Sequence, residues 1–219
     1  MDDIDLEKIE KDVSTRITEL KQIPIISKAF DILDNLPKYL KYHTKEHTEN
    51  VLHEAILFGI IDNLPEKQLE KVAVAAVWHD VGYLIKQNNN EEESVQLFEK
   101  ALPQFNLEYR EDVKKMILDT KLKITKKGPE IIGGNPISAY LLDADVSNFG
   151  RIDFREKLNL IAEESNINLT NKVTKLKFLK FALSLLKNQD WNTEIARKLR
   201  QKQKIINIAK LEEEISILY

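Results

Sequence analysis

The run "VAVAAVW", residues 72 to 78, constrains the fold more than any other stretch: it is apolar on every side and is followed at once by His79 and Asp80. With "EKQLEK" ahead of it, residues 66–80 read as a buried helix of about four turns. A short buried strand is the alternative. A helix with no polar face has to be enclosed by other elements. A carboxylate at its end is costly to bury unless a cation or several donors meet it. A His–Asp pair in a surface loop avoids that cost, and the pair alone does not decide between the two.

Elsewhere the pattern is helical. Ile4, Leu6, Ile9, Val13, Ile17 and Leu20 recur at three- and four-residue steps before Pro24 interrupts them. Further helices are expected over residues 25–35, from near His47 to just before 62, and over 108–120, 136–148, 153–164, 172–187 and 193–217. After "KQNNNEEES" another helix is expected, with Asn90 as its N-cap and Glu93 closing a capping box. "KLKITKKGPEIIGGNP" reads as the longest irregular connection, and no strand-like alternation stands out. The expectation is an all-α, single-domain helical bundle. Residues 1–24 form an N-terminal helix, 25–150 the core, and 151–219 a helical C-terminal extension packed on it.

Composition narrows the function. A net charge of −3 gives no basic footprint for nucleic acid or an anionic membrane. The absence of cysteine removes disulfides, thiolate ligands and thiol nucleophiles. The acidic N-terminus does not read as a secretory signal, and no run is long and apolar enough to span a bilayer. The expectation is a soluble cytoplasmic protein; its oligomeric state is not legible.

The chain holds four histidines, and three of them, His43, His47 and His53, fall in "YHTKEHTENVLHEA". His47 lies with Val51, Ala55 and Phe58 on one helix face, the face expected to be buried. His53 is turned about 240° away and reads as a surface or packing residue. In "AYLLDADVSNFG", Asp143 and Asp145 are about 200° apart and cannot share a site. Leu142, Val146 and Phe149 mark the apolar face, so Asp145 is expected to be buried and Asp143 to lie toward the flank. His47, His79, Asp80 and Asp145 then make two imidazoles and two carboxylates facing inward. One divalent cation would resolve all four burial problems, and such a set suits Mn²⁺, Fe²⁺, Co²⁺, Zn²⁺ or Mg²⁺ with positions left for water.

These residues, with "YHTKEHTENV", "VWHDVGY", "NEEES" and "LLDADVSNFG" in that order, resemble the H…HD…D signature of the HD-domain superfamily of metal-dependent phosphohydrolases. The similarity extends over residues 25 to 215 and is nearest to small stand-alone members. The resemblance implies an HD metal-binding core with His47, His79, Asp80 and Asp145 as ligands to one divalent ion. It implies hydrolysis of a small phosphate ester or anhydride, most simply a nucleotide, by metal-activated water. Asp80 could accept the proton of that water, and Glu91 and Glu92 are the further acid–base candidates. Equally, Glu91 and Glu92 suit the first turn of a helix. His43 is a possible substrate contact or a capping residue. Lys121 and Lys123 stand where relatives often carry a histidine. Lys121, Lys123, Lys86, Arg151 and Arg155 are candidate phosphate contacts, or solvated surface charges. Trp191 reads as core or as a base-stacking platform. A non-catalytic metal- or nucleotide-binding module, serving as a sensor or docking domain, is the alternative to an enzyme. A di-iron oxygenase is disfavoured by the shortage of histidines.

Overall fold

A computed structural model describes residues 6–101, 107–131 and 135–219, and over these the chain is an all-α single domain. Its helices are α1 (Leu6–Leu20), α2 (Pro24–Leu33), α3 (Lys45–Ile61), α4 (Glu66–Trp78), α5 (Asn90–Ala101), α6 (Leu107–Asp119), α7 (Ser138–Asp145), α8 (Phe154–Glu164), α9 (Lys172–Asn188) and α10 (Glu194–Ile217). Two single-turn 3₁₀ segments, Val81–Leu84 and Ser147–Gly150, follow α4 and α7 directly.

Helix α4 is the axis of the bundle, as its sequence requires. Leu69 and every residue from Val72 to Trp78 are buried, enclosed by α2, α3, α6 and α7. Each large side chain sequestered in this way contributes about 1.5–3 kcal/mol. Trp78 is fully buried and donates its indole N–H to the carbonyl of Ile25 at 3.1 Å, which ties α4 to α2. Helix α3 is buried on almost all sides as well, from His47 to Gly59. Its one deep carboxylate, Glu54, is met by the guanidinium of Arg200 in α10 through two bonds of 2.9 and 2.6 Å. That fork–fork pair removes the desolvation problem a lone Glu54 would have.

The C-terminal helices pack on this core. The 3₁₀ turn Ser147–Gly150 runs against α10, where the Asn207 amide donates to the carbonyls of Phe149 and Arg151. Gly150 lies so close to the backbone of Arg200 that a side chain there would collide with it. Trp191 is buried core, its indole N–H donating to Gln201.

The stretch expected to be irregular holds a small antiparallel hairpin, β1 (Leu122–Thr125) and β2 (Gly128–Ile131), with Leu122 opposite Ile131. Four-residue strands with a proline in one of them leave little alternation to detect. The hairpin is fixed from outside: the Gln189 side chain accepts from the Ile131 N–H and donates to its carbonyl, and Asn188 donates to the Lys127 carbonyl. Helix ends also shift from expectation. The expected helix over 136–148 is a shorter α7 plus the 3₁₀ turn. Asn90 is the first residue of α5 and is buried rather than capping it, while Glu93 pairs with Lys86 at 2.6 Å instead of closing a capping box.

Candidate metal centre and its cavity

Three elements deliver the cluster. Thr44, in extended conformation, caps α3 and places His47 in its first turn. His79 and Asp80 close α4 at its junction with the 3₁₀ turn. Asp145 is the last residue of α7, which packs on α3. The junction after α4 is tightly specified. The Gly82 N–H donates to Ser94 Oγ at 2.8 Å, and that hydroxyl donates to the His79 carbonyl at 2.7 Å. A methyl group on Gly82 would collide with the carbonyl of Asn90. The glycine is needed for close approach to α5.

The ligand-type atoms converge. Nε2 of His47 is 3.4 Å from Oδ2 of Asp80 and 3.3 Å from Oδ1 of Asp145. Nε2 of His79 is 3.1 and 3.6 Å from the same two oxygens. Ligands held at about 2.0–2.2 Å around one cation are separated by about 3.0–3.5 Å in tetrahedral or octahedral arrangements. The four separations lie close to that range. The tautomer of His79 agrees, because its Nδ1–H donates to the Ala76 carbonyl at 2.7 Å and presents the Nε2 lone pair to the cluster. His47 Nε2, His79 Nε2 and Asp80 Oδ2 are buried and have no hydrogen-bond partner. Such groups are costly to bury unless something satisfies them. His47, His79 and Asp80, whose ligand atoms all lie within 4.8 Å of one another, could thus hold a divalent metal, with Asp145 facing both histidines.

The charges follow from this crowding. Burial alone would depress the imidazole of His79, but Asp80 and Asp145 outweigh it and raise its pKa well above the ordinary value. Burial opposes ionisation of Asp80 and Asp145, yet the neighbouring histidines hold both carboxyls below the usual range.

The assignment of the two aspartates needs correction. Asp143 is the fully buried one, whereas the Asp145 side chain keeps 17% of its exposure. The angular argument holds, since the two point to different places. Asp143 accepts from the backbone N–H and side chain of both Asn192 and Thr193, all at 2.8 Å. It anchors the start of α10. Asp145 keeps its exposure because it faces a cavity.

That cavity has a volume of about 280 Å³ and is lined by Asp80, Asp145, His43, Tyr83 and Glu91 among others. Asn90 Oδ1, Glu91 Oε2 and Asn148 Oδ1, all on lining residues, are buried without partners as well. Burial, and then the proximity of Asp80, raise the pKa of Glu91. His43 precedes α3 rather than belonging to it. Its Nδ1 contacts Glu164 Oε1, its Nε2 lies 3.1 Å from the Tyr83 hydroxyl, and its ring stacks on Tyr83 at 4.2 Å. Glu164 Oε2 also accepts the backbone N–H groups of Lys41, Tyr42 and His43 at 2.8–3.0 Å. Despite its burial, His43 lowers the Glu164 pKa to about 2.

The remaining candidates have other partners, and of them Arg151 lines, with Lys41 and Lys157, a smaller pocket that takes in His47 and Asp145. Glu92 pairs with Lys121 at 2.6 Å, and Lys121 also donates to Asn89. Arg151 forms a two-bond pair with Asp153, and Arg155 pairs with Glu214. Neither these residues nor Lys123 or Lys86 lines the 280 Å³ cavity. His53 pairs with Glu10 near the surface. Sequence reasoning missed Glu164 and Tyr83. Glu164 lies 121 residues from His43 and its sequence context carries no signal. Tyr83, three residues after Asp80, could have been found as the next residue to face the cluster across the tight turn.

Compared with known proteins, the chain matches no family model, no curated protein and no solved structure. Its site is read from its own geometry.

Proposed function

We propose that the chain is a metal-dependent phosphohydrolase acting on a small phosphate ester or anhydride, with a nucleotide as the first candidate. The observation that carries this reading is the set of four ligand–ligand separations of 3.1–3.6 Å beside a cavity of about 280 Å³. The resemblance to HD-domain phosphohydrolases points the same way.

A divalent cation held by His47, His79, Asp80 and Asp145 would supply Lewis acidity, lowering the pKa of water and offsetting charge that develops on a phosphoryl oxygen. The protein's own groups do the rest. Glu91, whose carboxyl is disposed by burial to hold a proton, can donate it to a leaving oxygen in the cavity. Glu164 fixes the ring of His43 through Nδ1, so that Nε2 and the Tyr83 hydroxyl form a polar pair on the cavity wall. Asp143 takes no part in this chemistry and holds α10 in place.

The test is hydrolysis of a panel of nucleotides and phosphoesters by metal-stripped protein with Mn²⁺, Co²⁺, Mg²⁺, Fe²⁺ or Zn²⁺ restored, beside Asp80→Ala. Turnover that needs metal and falls on the order of 10³-fold in the variant is expected, because a metal contributes several kcal/mol to such reactions. Absence of turnover with every ion, in protein that still binds one ion per chain, would contradict the enzyme reading and favour a metal-binding module.

A further inference from the structure

The cavity in front of the cluster has two unlike parts. Asp80, which is 7% exposed, marks its inner end. The opposing wall is apolar: Leu122 and Ile131 from facing positions of the hairpin, with Phe149, Ile161, Phe181 and Leu185. Leu122 and Phe181 are 40% and 44% exposed, so this wall reaches the mouth. None of the residues lining this cavity is Lys or Arg, whereas a smaller pocket that shares Tyr42, Asp145 and Asn148 with it and takes in His47 is lined by Lys41, Arg151 and Lys157.

Resting on the phosphohydrolase reading, we infer that the substrate carries its phosphoryl group on an aromatic or aliphatic body, so that within that reading an apolar phosphomonoester displaces the nucleotide as first candidate. A phosphoryl group at the cluster is met by the cation. Further phosphates lying along the Leu122 and Phe181 wall would lose water where no lysine or arginine lines the cavity. An apolar ring instead covers Leu122 and Phe181 and gains from leaving water. Lys121 is turned to Glu92 and Asn89, and Arg151 pairs with Asp153 while lining, with Lys41 and Lys157, the smaller pocket beside His47 and Asp145.

The metal-reconstituted protein would be assayed with 1-naphthyl phosphate, ribose 5-phosphate and ATP. In parallel, calorimetry would give Kd values for 1-naphthylphosphonate and methylphosphonate. A kcat/KM for the naphthyl ester at least about tenfold above either competitor is expected, with the naphthylphosphonate binding tighter than the methyl compound by a similar factor. Phe181→Ala, at a half-exposed position, should narrow both ratios. ATP or ribose 5-phosphate as the better substrate, equal binding of the two phosphonates, or binding of neither would overturn the inference. Failure to hydrolyse any ester while the naphthylphosphonate preference persists would instead remove the hydrolase reading and leave the ligand class standing.

Discussion

Because the Nδ1–H of His79 is committed to the Ala76 carbonyl, Nε2 meets Asp80 and Asp145 either as a lone pair bound to a cation or carrying a proton. Glu91 has no such commitment: its Oε2 is buried and unpartnered on the cavity wall. Glu91→Gln should therefore lower kcat about 10²- to 10⁴-fold while leaving one metal per chain, checked by steady-state kinetics beside elemental analysis. Loss of the metal along with the activity would mean that Glu91 supports the ligands instead. Glu164 makes a pH prediction. Its pKa falls from the ordinary 4.5 to about 2 in the folded chain, so its contribution is complete above about pH 4.5 and is lost as the pH drops toward 2. Wild-type stability should fall between pH 5 and pH 3, and Glu164→Gln should lose about 1–2 kcal/mol less over that interval, screening allowed for, by urea unfolding. The inward placing of His47 was legible because helix periodicity assigns faces, and His47 lies where that rule puts it. The burial of Asp143 was not, because its partners Asn192 and Thr193 are about fifty residues away and periodicity carries no distance information.

At the scale of elements, the site depends on how the ends of α4 and α7 are held. Gly82 reads in sequence as a helix stop, but its role is contact with α5. Gly82→Ala has to displace the first turn of α5 or the Asp80 junction and should cost about 1–3 kcal/mol, with weakened metal binding as the mark that the junction has moved. Asp143→Ala strands four donors at the start of α10 and should cost about 2–4 kcal/mol in thermal or chemical unfolding. It should leave metal stoichiometry at one, since Asp145 is the residue that faces the histidines. The long amphipathic and all-apolar helices were legible because each carries many repeats of its own period. The hairpin was not, since its strands are four residues long and its stability comes from Gln189 and Asn188 of the distant α9–α10 junction. The capping box expected at Asn90 failed for a related reason: Asn90 is turned into the cavity wall, where tertiary surroundings override the local motif.

Over the whole molecule, α10 clamps the turn after Asp145 through Asn207 and holds α3 through Arg200, so the last helix braces elements that carry two of the four ligand-type residues. None of the helices among the described residues is long and apolar enough to cross a membrane. A cation that binds the folded cluster and not the unfolded chain stabilises by about 2.7 kcal/mol at a hundred times its Kd, which for a chain of this size raises Tm by about 5–10 °C. Calorimetry with and without metal should register that rise in wild type and not in Asp80→Ala. The most direct measurement is an anomalous-scattering map from crystals of metal-stripped protein soaked in Mn²⁺ or Zn²⁺. The account predicts one peak per chain, within bonding distance of Nε2 of His47 and His79 and of a carboxylate oxygen each from Asp80 and Asp145. A peak elsewhere, two peaks in the cluster, or none at saturating metal would contradict it.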